Sequence, residues 1–321
     1  MQVAIDAGHG YVKALSSRGN RVRFPALVHP APATINLGTF GSPAITRIDN
    51  QEFLVGDAAR RFGSPLWSRD KAVDDDTLRL ILVAAAELGA SGPVRLATGL
   101  PLAWFGDQQL PFKTSLRGFG GTVTLPDGTA TRLWFESVLV LPQGVAAAGP
   151  LLDDTQYEPG PYLIVDVGYR TTDFIIVSKE ADGRLAFDPV AAGSLELGMH
   201  HVDAALAEQL SADYRTVFTA AQVADADTVV VRGQRVAITD ARVRHETRVA
   251  RAIVKGLLER LDAQMDQVLG MVAVGGGSSV LARTIPGVLA PSDPQWANVR
   301  GYLAALEDVA PRRSDGLPGV V

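Results

Sequence analysis

The sequence predicts an α/β protein made of two related halves, and three observations support this prediction. The chain has 321 residues, which suits two domains of about 150 residues each. A strand, a glycine-containing turn and a returning strand occur at 3–15 and again at 162–178. Residues 151–161, which are acidic and contain proline and glycine, have the composition of a link between domains. The two halves therefore repeat the same predicted order of strands and turns, although their amino-acid sequences differ.

The first half begins with strand-like segments and ends in a helix. The predicted strands are at 2–6, 12–16, 21–24, 94–98 and 133–141. Residues 25–56 are rich in proline and glycine and contain a short hairpin around Asp49-Asn50, which predicts a small inserted subdomain. A helix is predicted at 78–88 after the acidic residues 74–76, and an alanine-rich helix begins near Gly144.

The second half has a longer helical part. Apolar spacing predicts helices at 197–210 and 242–268, a hairpin at 228–236, a buried strand at 271–274 and a frayed tail after Pro311. The predicted domains are 1–155, with an insertion at about 25–75, and 156–321, with an insertion at about 198–250. A helix at about 292–308 is expected to pack back on the first domain.

Composition excludes several classes of protein. The chain has 30 Lys and Arg against 35 Asp and Glu, a formal charge of −5, so direct binding to nucleic acid is not expected. It has no Cys, which excludes disulfides, thiolate nucleophiles and thiolate metal sites. No apolar stretch is long enough to span a bilayer and no leader precedes the first strand, so we expect a cytoplasmic protein without a membrane partner.

Three glycine-containing turns, each directly after an apolar strand, carry the chemical signal. They are IDAGHGYVK at 5–13, VDVGYRTTD at 165–173 and VGGGSSV at 274–280. Glycine lets a backbone approach a ligand closely, and N–H and hydroxyl groups bind phosphate oxygens. Asp6 and Asp166 end the first strand of each half, so they would face a phosphate with Mg²⁺ between them, held mostly through water. Lys13 would add a point charge to the β- and γ-phosphates.

Each turn taken alone is also compatible with an ordinary tight turn. The occurrence of three in order, with acids at matching places, favours a nucleotide site. The chain contains no GxxxxGK[ST] motif, and its third turn lacks GxGxxG spacing, which disfavours the P-loop and Rossmann interpretations.

The order of these turns, with LPQGVAAAG at 141–149 between the first two, resembles the actin, DnaK-type chaperone and sugar-kinase ATPase superfamily. Within it, LATGLP at 96–101, PQGVAAAG and PQWANVRGY at 294–302 are similar to the ParM-like prokaryotic and archaeal actins. The resemblance spans about residues 1–308. It implies two actin-like, ribonuclease H-like domains, each with a five-stranded mixed sheet and a small inserted subdomain, closing on ATP or ADP and Mg²⁺.

The resemblance also implies roles for individual residues. Asp6 and Asp166 would bracket the metal, and Gln143 would orient the attacking water, so that these three are the catalytic candidates. Because a neutral amide is a poor base, hydrolysis would be slow; the alternative is that Gln143 caps a helix. The expected nucleotide-binding residues are Gly8, Gly10, Lys13, Gly168, Thr171, Thr172, Gly198, Gly275, Gly276, Gly277 and Ser278.

Some residues depart from the family pattern or admit a second interpretation. Tyr169 and Arg170 stand where many relatives have glycine, so a looser fit to the γ-phosphate is expected. We interpret His9 as a solvent-facing turn residue and His200-His201 as surface residues rather than metal ligands. The arginines between 232 and 251 are interpreted as a solvated face, with a partner contact as the alternative.

The resemblance implies a slow ATPase that polymerises with its own copies, because head-to-tail contacts that do not close into a ring make filaments. Plasmid or DNA segregation through a DNA-binding adaptor protein is the expected use. A nucleotide switch that does not polymerise, and a small-molecule kinase of the same superfamily, are the alternatives.

Overall fold

A computed structural model of the chain describes residues 1–33, 44–62, 68 and 70–308, and shows two mixed β-sheets with helices packed against them. Parts of the predicted insertion at 25–75, and the whole tail after Pro311, lie outside the described residues. In the described part of the chain, no helix combines the length and apolarity that a bilayer span needs.

The first sheet has nine strands. They are β1 Gln2–Ala7, β2 Tyr11–Ser16, β3 Arg21–Pro25, β4 Val28–Pro30, β5 Ile45–Ile48, β6 Gln51–Val55, β7 Gly92–Leu100, β8 Gly120–Thr124 and β9 Ala130–Pro142. Their order is β3-β2-β1-β7-β9-β8-β5-β6-β4, with β1, β7 and β9 mutually parallel and the other neighbours antiparallel.

The second sheet repeats the first five positions of this order. Its strands are β10 Gly160–Val167, β11 Thr172–Lys179, β12 Leu185–Leu195, β15 Gly270–Val274 and β16 Val288–Leu289. The order β12-β11-β10-β15-β16 has the same sequence of antiparallel and parallel pairs as β3-β2-β1-β7-β9. A separate hairpin joins β13 Thr228–Val231 to β14 Gln234–Ala237.

The expectation of five strands in each sheet is wrong for the first sheet. β9 is 13 residues long, and its residues 130–134 pair with β8 while its residues 133–142 pair with β7. β8 then pairs with β5, which extends the sheet into strands of the predicted insertion. The described strands of the insertion are thus part of the first sheet.

Eight α-helices occur in the described part of the chain. They are α1 Asp75–Glu87, α2 Leu102–Leu116, α3 Val145–Leu152, α4 His200–Tyr214, α5 Ala220–Val223, α6 Thr239–Leu261, α7 Ser278–Thr284 and α8 Ala297–Asp308. Three 3₁₀ turns lie at Gly56–Ala59, Asp262–Gln267 and Pro294–Trp296. α1 begins at Asp75, before the predicted segment 78–88, because the Asp74 side chain caps it by accepting a hydrogen bond from the backbone N–H of Thr77.

α2 has no counterpart in the sequence-based expectations. It contains Pro111 inside the helix, and only Phe112 and Leu116 are buried, so it lacks a continuous apolar stripe. The predicted helix at 242–268 instead begins at Thr239 and ends at Leu261, and a 3₁₀ turn follows.

Helix α8 lies late in the chain but packs on the first sheet. It contacts α3, β1 and β7, and Val299 and Tyr302 of α8 share a buried cluster with Ala4 and Ala97. Gly301 makes this approach possible, because a Cβ at that position would lie 1.8 Å from the carbonyl oxygen of Ala146. The limits of the two domains remain a prediction.

We expect Gly301→Ala to destabilise the protein by about 1–3 kcal/mol, the usual cost of overpacking, because its methyl group would overlap the α3 backbone. Gly106→Ala is the matched control: Gly106 lies inside α2, and an added Cβ there would meet no atom within 4 Å. The control should be neutral or stabilising by up to about 1 kcal/mol. Urea unfolding of both variants measures the difference, and equal midpoints would contradict the close contact.

Candidate functional site

The three glycine turns meet at one cavity of about 380 Å³ between the two sheets. Asp6 and Asp166 both line it, and each is almost fully buried. They occupy equivalent positions near the ends of β1 and β10, because the two sheets repeat one topology. The architecture thus brings together two acids that are 160 positions apart in the sequence.

Asp6 has two side-chain partners, the ammonium group of Lys13 and the amide group of Gln143. The register of β1 and β2 pairs Asp6 with Lys13, whose Nζ lies 3.1 Å from Oδ2 of Asp6. Nε2 of Gln143 donates to Oδ1 of Asp6 at 3.0 Å, and Gln143 is itself buried. Since Nε2 is used, the amide oxygen of Gln143 is the atom left to accept a hydrogen bond from a ligand or a water molecule.

Asp166 lacks the cation that Asp6 has. In the equivalent register of β10 and β11, its cross-strand neighbour is Asp173, another acid. Burial, together with the charge of Asp6, raises the pKa of Asp166 to about 6, although a hydrogen bond from Asn298 opposes this. Asn298 Nδ2 donates to Asp166 at 2.6 Å, and Asn298 Oδ1 accepts from the backbone N–H of Gly144.

Asp173 is held by two hydrogen bonds that cross to other elements. It accepts from the backbone N–H of Leu102, at the start of α2, at 3.2 Å, and from the hydroxyl of Ser194 on β12. Burial, followed by the charge of Asp166, raises the pKa of Asp173 to about 8. Both carboxyl groups of the second turn therefore favour the protonated form more than an ordinary aspartate does.

The third turn lies directly against Asp166. Gly275 has φ +84°, and a Cβ there would lie 2.2 Å from Oδ1 of Asp166, so only glycine fits. The backbone N–H of Gly277 donates to the carbonyl of Val167 at 2.9 Å, which fixes the third turn on the second.

Ten of the predicted site residues line the cavity. They are Asp6, Gly8, Gly10, Lys13, Gln143, Asp166, Gly168, Thr171, Gly275 and Gly276.

Four predicted nucleotide-binding residues are not among the lining residues, and for these the structure gives a different role. The Thr172 hydroxyl donates to the carbonyl of Leu197, and the Ser278 hydroxyl donates to the carbonyl of Gly275. Gly198 packs on the carbonyls of Gly168 and Tyr169, and Gly277 packs on Val167 and Met199. All four make contacts within or beside the turns, and Ser279 lines the cavity in place of Ser278.

The interpretation of His9 as a solvent-facing residue is wrong, because His9 is only 8% exposed and lines the cavity. Its ring packs edge-on against Trp104 of α2, 5.6 Å between centroids. Burial lowers the pKa of His9 to about 3, and the charges of Lys71 and Arg170 act in the same direction. Trp104 could not be anticipated as its partner, because α2 itself was not predicted.

Lys71 is a second residue that sequence reasoning missed. It is buried, and its Nζ donates to the carbonyl of Ala7 at 2.7 Å, at the end of β1. Burial lowers the pKa of Lys71, while Asp6, Asp74 and Asp173 oppose the shift. Lysines are rarely fully buried, so no sequence signal distinguishes this one from a surface residue.

Tyr169 of the second turn contacts the first turn. Its ring packs on Gly10, where a Cβ would lie 2.9 Å from the ring. Tyr169 also packs against His200, which is half-buried, whereas His201 is exposed. Among the described residues, no group of three or more His, Cys, Asp or Glu side chains could hold a metal ion.

Paired charges of the second half also line the cavity. Arg242 donates to Asp203 at 2.9 Å and to the carbonyl of Val223, and Arg283 pairs with Glu246. Of the arginines between 232 and 251, Arg242 is thus a structural residue of the cavity wall rather than part of a solvated face.

Comparison with known proteins gives matches along most of the chain. Residues 4–145 match the family of actin-like proteins, N-terminal domain, and residues 164–286 match the C-terminal domain of the archaeal actin homologue, MreB-like. The chain is 28% identical to an archaeal actin homolog of Thermoplasma acidophilum, over 95% of this chain and 98% of that protein.

Solved structures show the same fold. An archaeal actin homolog crystallised in complex with ADP is 25% identical, with a TM-score of 0.78 over 96% of this chain and 99% of that one. A ParM subunit from a 15-stranded filament of Clostridium botulinum is 19% identical, with a TM-score of 0.82 and the same coverage. These likenesses confirm the predicted two-domain, actin-like α/β fold. Since the first half matches the actin-like N-terminal domain and the second half matches the archaeal actin, MreB-like C-terminal domain, the chain belongs to the actin-like proteins.

Proposed function

We propose that the chain binds ATP and ADP with Mg²⁺ in this cavity, hydrolyses ATP slowly to ADP and phosphate, and assembles with its own copies into filaments. The observation that carries the proposal is the convergence of Asp6, Asp166 and three glycine turns on one cavity. The ADP complex of an archaeal actin homolog and the ParM filament support the nucleotide and the assembly respectively.

The two ends of the cavity suit the two ends of a nucleotide. Gly8, Gly10 and Gly168 line the cavity where the phosphates would lie, and Lys13 supplies a positive charge beside Asp6. Gly275, Gly276 and Ser279 would face the adenosine. Arg242 and Arg283, held by their acidic partners, would form the outer wall beside it.

The residues at the phosphate end also fit Mg²⁺. Asp166 is a buried acid that forms no ion pair among the described residues, and burial, with the charge of Asp6, raises its pKa. A divalent ion would supply the missing charge. Two carboxylates are too few for a full ligand set, which suits an ion that keeps several waters and is bound partly by phosphate. When bound, Mg²⁺ would neutralise charge on the phosphates.

Gln143 would orient the attacking water. Its Nε2 is held by Asp6, so its Oε1 can accept a hydrogen bond from water next to the terminal phosphate. A neutral amide positions water without removing its proton, so the reaction would be slow.

Plasmid or DNA segregation in the cytoplasm would be the biological use. A net charge of −5 disfavours direct contact with DNA, so the link to DNA would be a DNA-binding adaptor protein.

Electron microscopy and pelleting with ATP and Mg²⁺ test the whole proposal. Filaments are expected for the natural chain and a strong loss, at least about 10-fold in pelleted protein, for Asp166→Asn, because that change removes a charge required at the phosphate end. Asp107→Asn, on the exposed side of α2, is the matched control and should pellet normally. Nucleotide binding without filaments in any nucleotide state would leave a nucleotide switch and reject the polymer.

Gln143→Ala should lower the rate constant of ATP hydrolysis by about 10- to 100-fold while changing ATP affinity by less than about 3-fold, as expected for a group that acts on the attacking water. Single-turnover phosphate release and equilibrium titration with a fluorescent ATP analogue give the two values. An equal loss of affinity and rate would instead assign Gln143 to binding or to support of Asp6.

Asp173→Asn should flatten the pH dependence of stability. Because the folded-state pKa of Asp173 is raised to about 8, the native chain retains a proton that the unfolded chain releases near pH 4. Its contribution therefore falls as pH rises between about 4 and 8, by up to about 1.4 kcal/mol per pH unit. Asparagine keeps an acceptor for Leu102.

Urea unfolding at pH 5, 6 and 7 without nucleotide measures this slope. The variant should lose less stability on going from pH 5 to pH 7 than the natural chain and the Asp107→Asn control. Parallel curves for all three proteins would show that Asp173 is ionised in the folded state.

A further inference from the structure

Side chains from the two halves of the chain meet directly across the mouth of the cavity. Tyr11, Arg23 and Arg60 come from the first half and Asp225 from the second, and we call these four residues the cross-cleft cluster. All four line the cavity. The cluster is separate from the carboxylates at the phosphate end.

The centre of the cluster is the hydrogen bond from the Tyr11 hydroxyl to the carboxylate of Asp225. Nη2 of Arg60 lies 3.4 Å from the same hydroxyl and 3.9 Å from Oδ2 of Asp225. The guanidinium of Arg23 lies over the Tyr11 ring, 3.8 Å from its centroid. One hydroxyl, one carboxylate and two cations thus meet where the two halves of the chain, which we call the two lobes, come together.

Both central residues are fixed in place by their own lobes. Tyr11 begins β2 directly after Gly10, so its backbone is part of the first glycine turn. Asp225 has a left-handed φ of +55°, in the short connection between α5 and β13. Arg60 is oriented by a second ion pair, to Asp57 at 2.6 Å. The cluster therefore joins two preorganised surfaces.

Separation of the lobes breaks these contacts, whereas the bonds within each lobe survive. An interaction that exists only while the two halves are closed lowers the free energy of the closed state by the whole free energy of that interaction. It therefore slows each process that requires the halves to separate. A charge-assisted hydrogen bond at a partly exposed site changes such an equilibrium by about 3- to 10-fold.

We propose that the cross-cleft cluster holds the two lobes closed over bound nucleotide and sets how long the nucleotide stays. This rests on the proposed function only in taking the cavity as the nucleotide site. Tyr11 and Asp225 are then positioning residues, which act on the opening of the cleft and not on the phosphates.

Dissociation of a fluorescent ATP analogue, chased with excess unlabelled ATP, is the first test. Tyr11→Phe keeps the ring under Arg23 and removes only the hydroxyl, so release should become about 3- to 10-fold faster. Asp225→Asn keeps an acceptor and tolerates the left-handed backbone, so its effect should be smaller. Both changes remove the same hydrogen bond. The double variant should therefore release the analogue at about the rate of Tyr11→Phe, and more slowly than the product of the two single effects predicts.

Tyr214→Phe is the matched control. Tyr214 lies at the end of α4 in the same part of the second half, away from the cluster, and its loss of a hydroxyl should leave the release rate unchanged. Equal release rates for the natural chain, Tyr11→Phe and Tyr214→Phe would overturn the role of the cluster while leaving nucleotide binding intact.

A distance measurement tests the same inference without any nucleotide. The chain has no Cys, so Arg61→Cys and Val230→Cys, both at exposed positions on opposite lobes, provide a unique pair for spin labels. Adding Tyr11→Phe should shift the measured distance distribution to longer values. An unchanged distribution would overturn the cluster even if the natural chain failed to bind ATP, an outcome that would separately reject the proposed function.

Discussion

The structure depends on the burial of carboxyl groups from both halves in one small cavity. Asp6 is neutralised by Lys13, but Asp166 faces Asp173 and has only the amide of Asn298 beside it. Burial raises the pKa of both acids of the second turn, and a neighbouring carboxylate adds to each shift, Asp6 for Asp166 and Asp166 for Asp173. A cation bound beside these carboxylates would offset the repulsion between them.

This arrangement is supported by elements that cross between the two sheets. The start of α2 donates backbone N–H groups to Asp173 and Ser194 of the second sheet. Asn298 of α8 bonds both Asp166 and the backbone N–H of Gly144, at the start of α3. Asn298 thus links Asp166 to Gly144, the residue that directly follows Gln143.

Much of the fold, and most of the site, could be predicted from the sequence. Glycine turns after buried strands leave a strong local signal, and Asp6 and Asp166 stand at the same register in two copies of one topology. The direction of individual hydroxyls leaves no such signal. Thr171 and Thr172 are neighbours on one hairpin, but only Thr171 lines the cavity, because Thr172 bonds the carbonyl of Leu197. Likewise, Ser279 lines the cavity and Ser278 does not, because the Ser278 hydroxyl bonds the carbonyl of Gly275.

The remaining differences come from long-range packing. The burial of His9 depends on Trp104, which lies on a helix with Pro111 in its middle and no apolar stripe. The burial of Lys71 depends on a carbonyl 64 positions away. The extended first sheet depends on β9 being long enough to pair on both sides, which periodicity within a short window does not reveal.

The path of the backbone through α8 has a consequence for how the protein forms. The chain completes the second sheet before α8 returns to cover Ala4 and Ala97 of the first, so the earlier lobe stays unfinished until the later one has been made. A nascent chain that stops before α8 would therefore leave apolar surface of its first strands open to water.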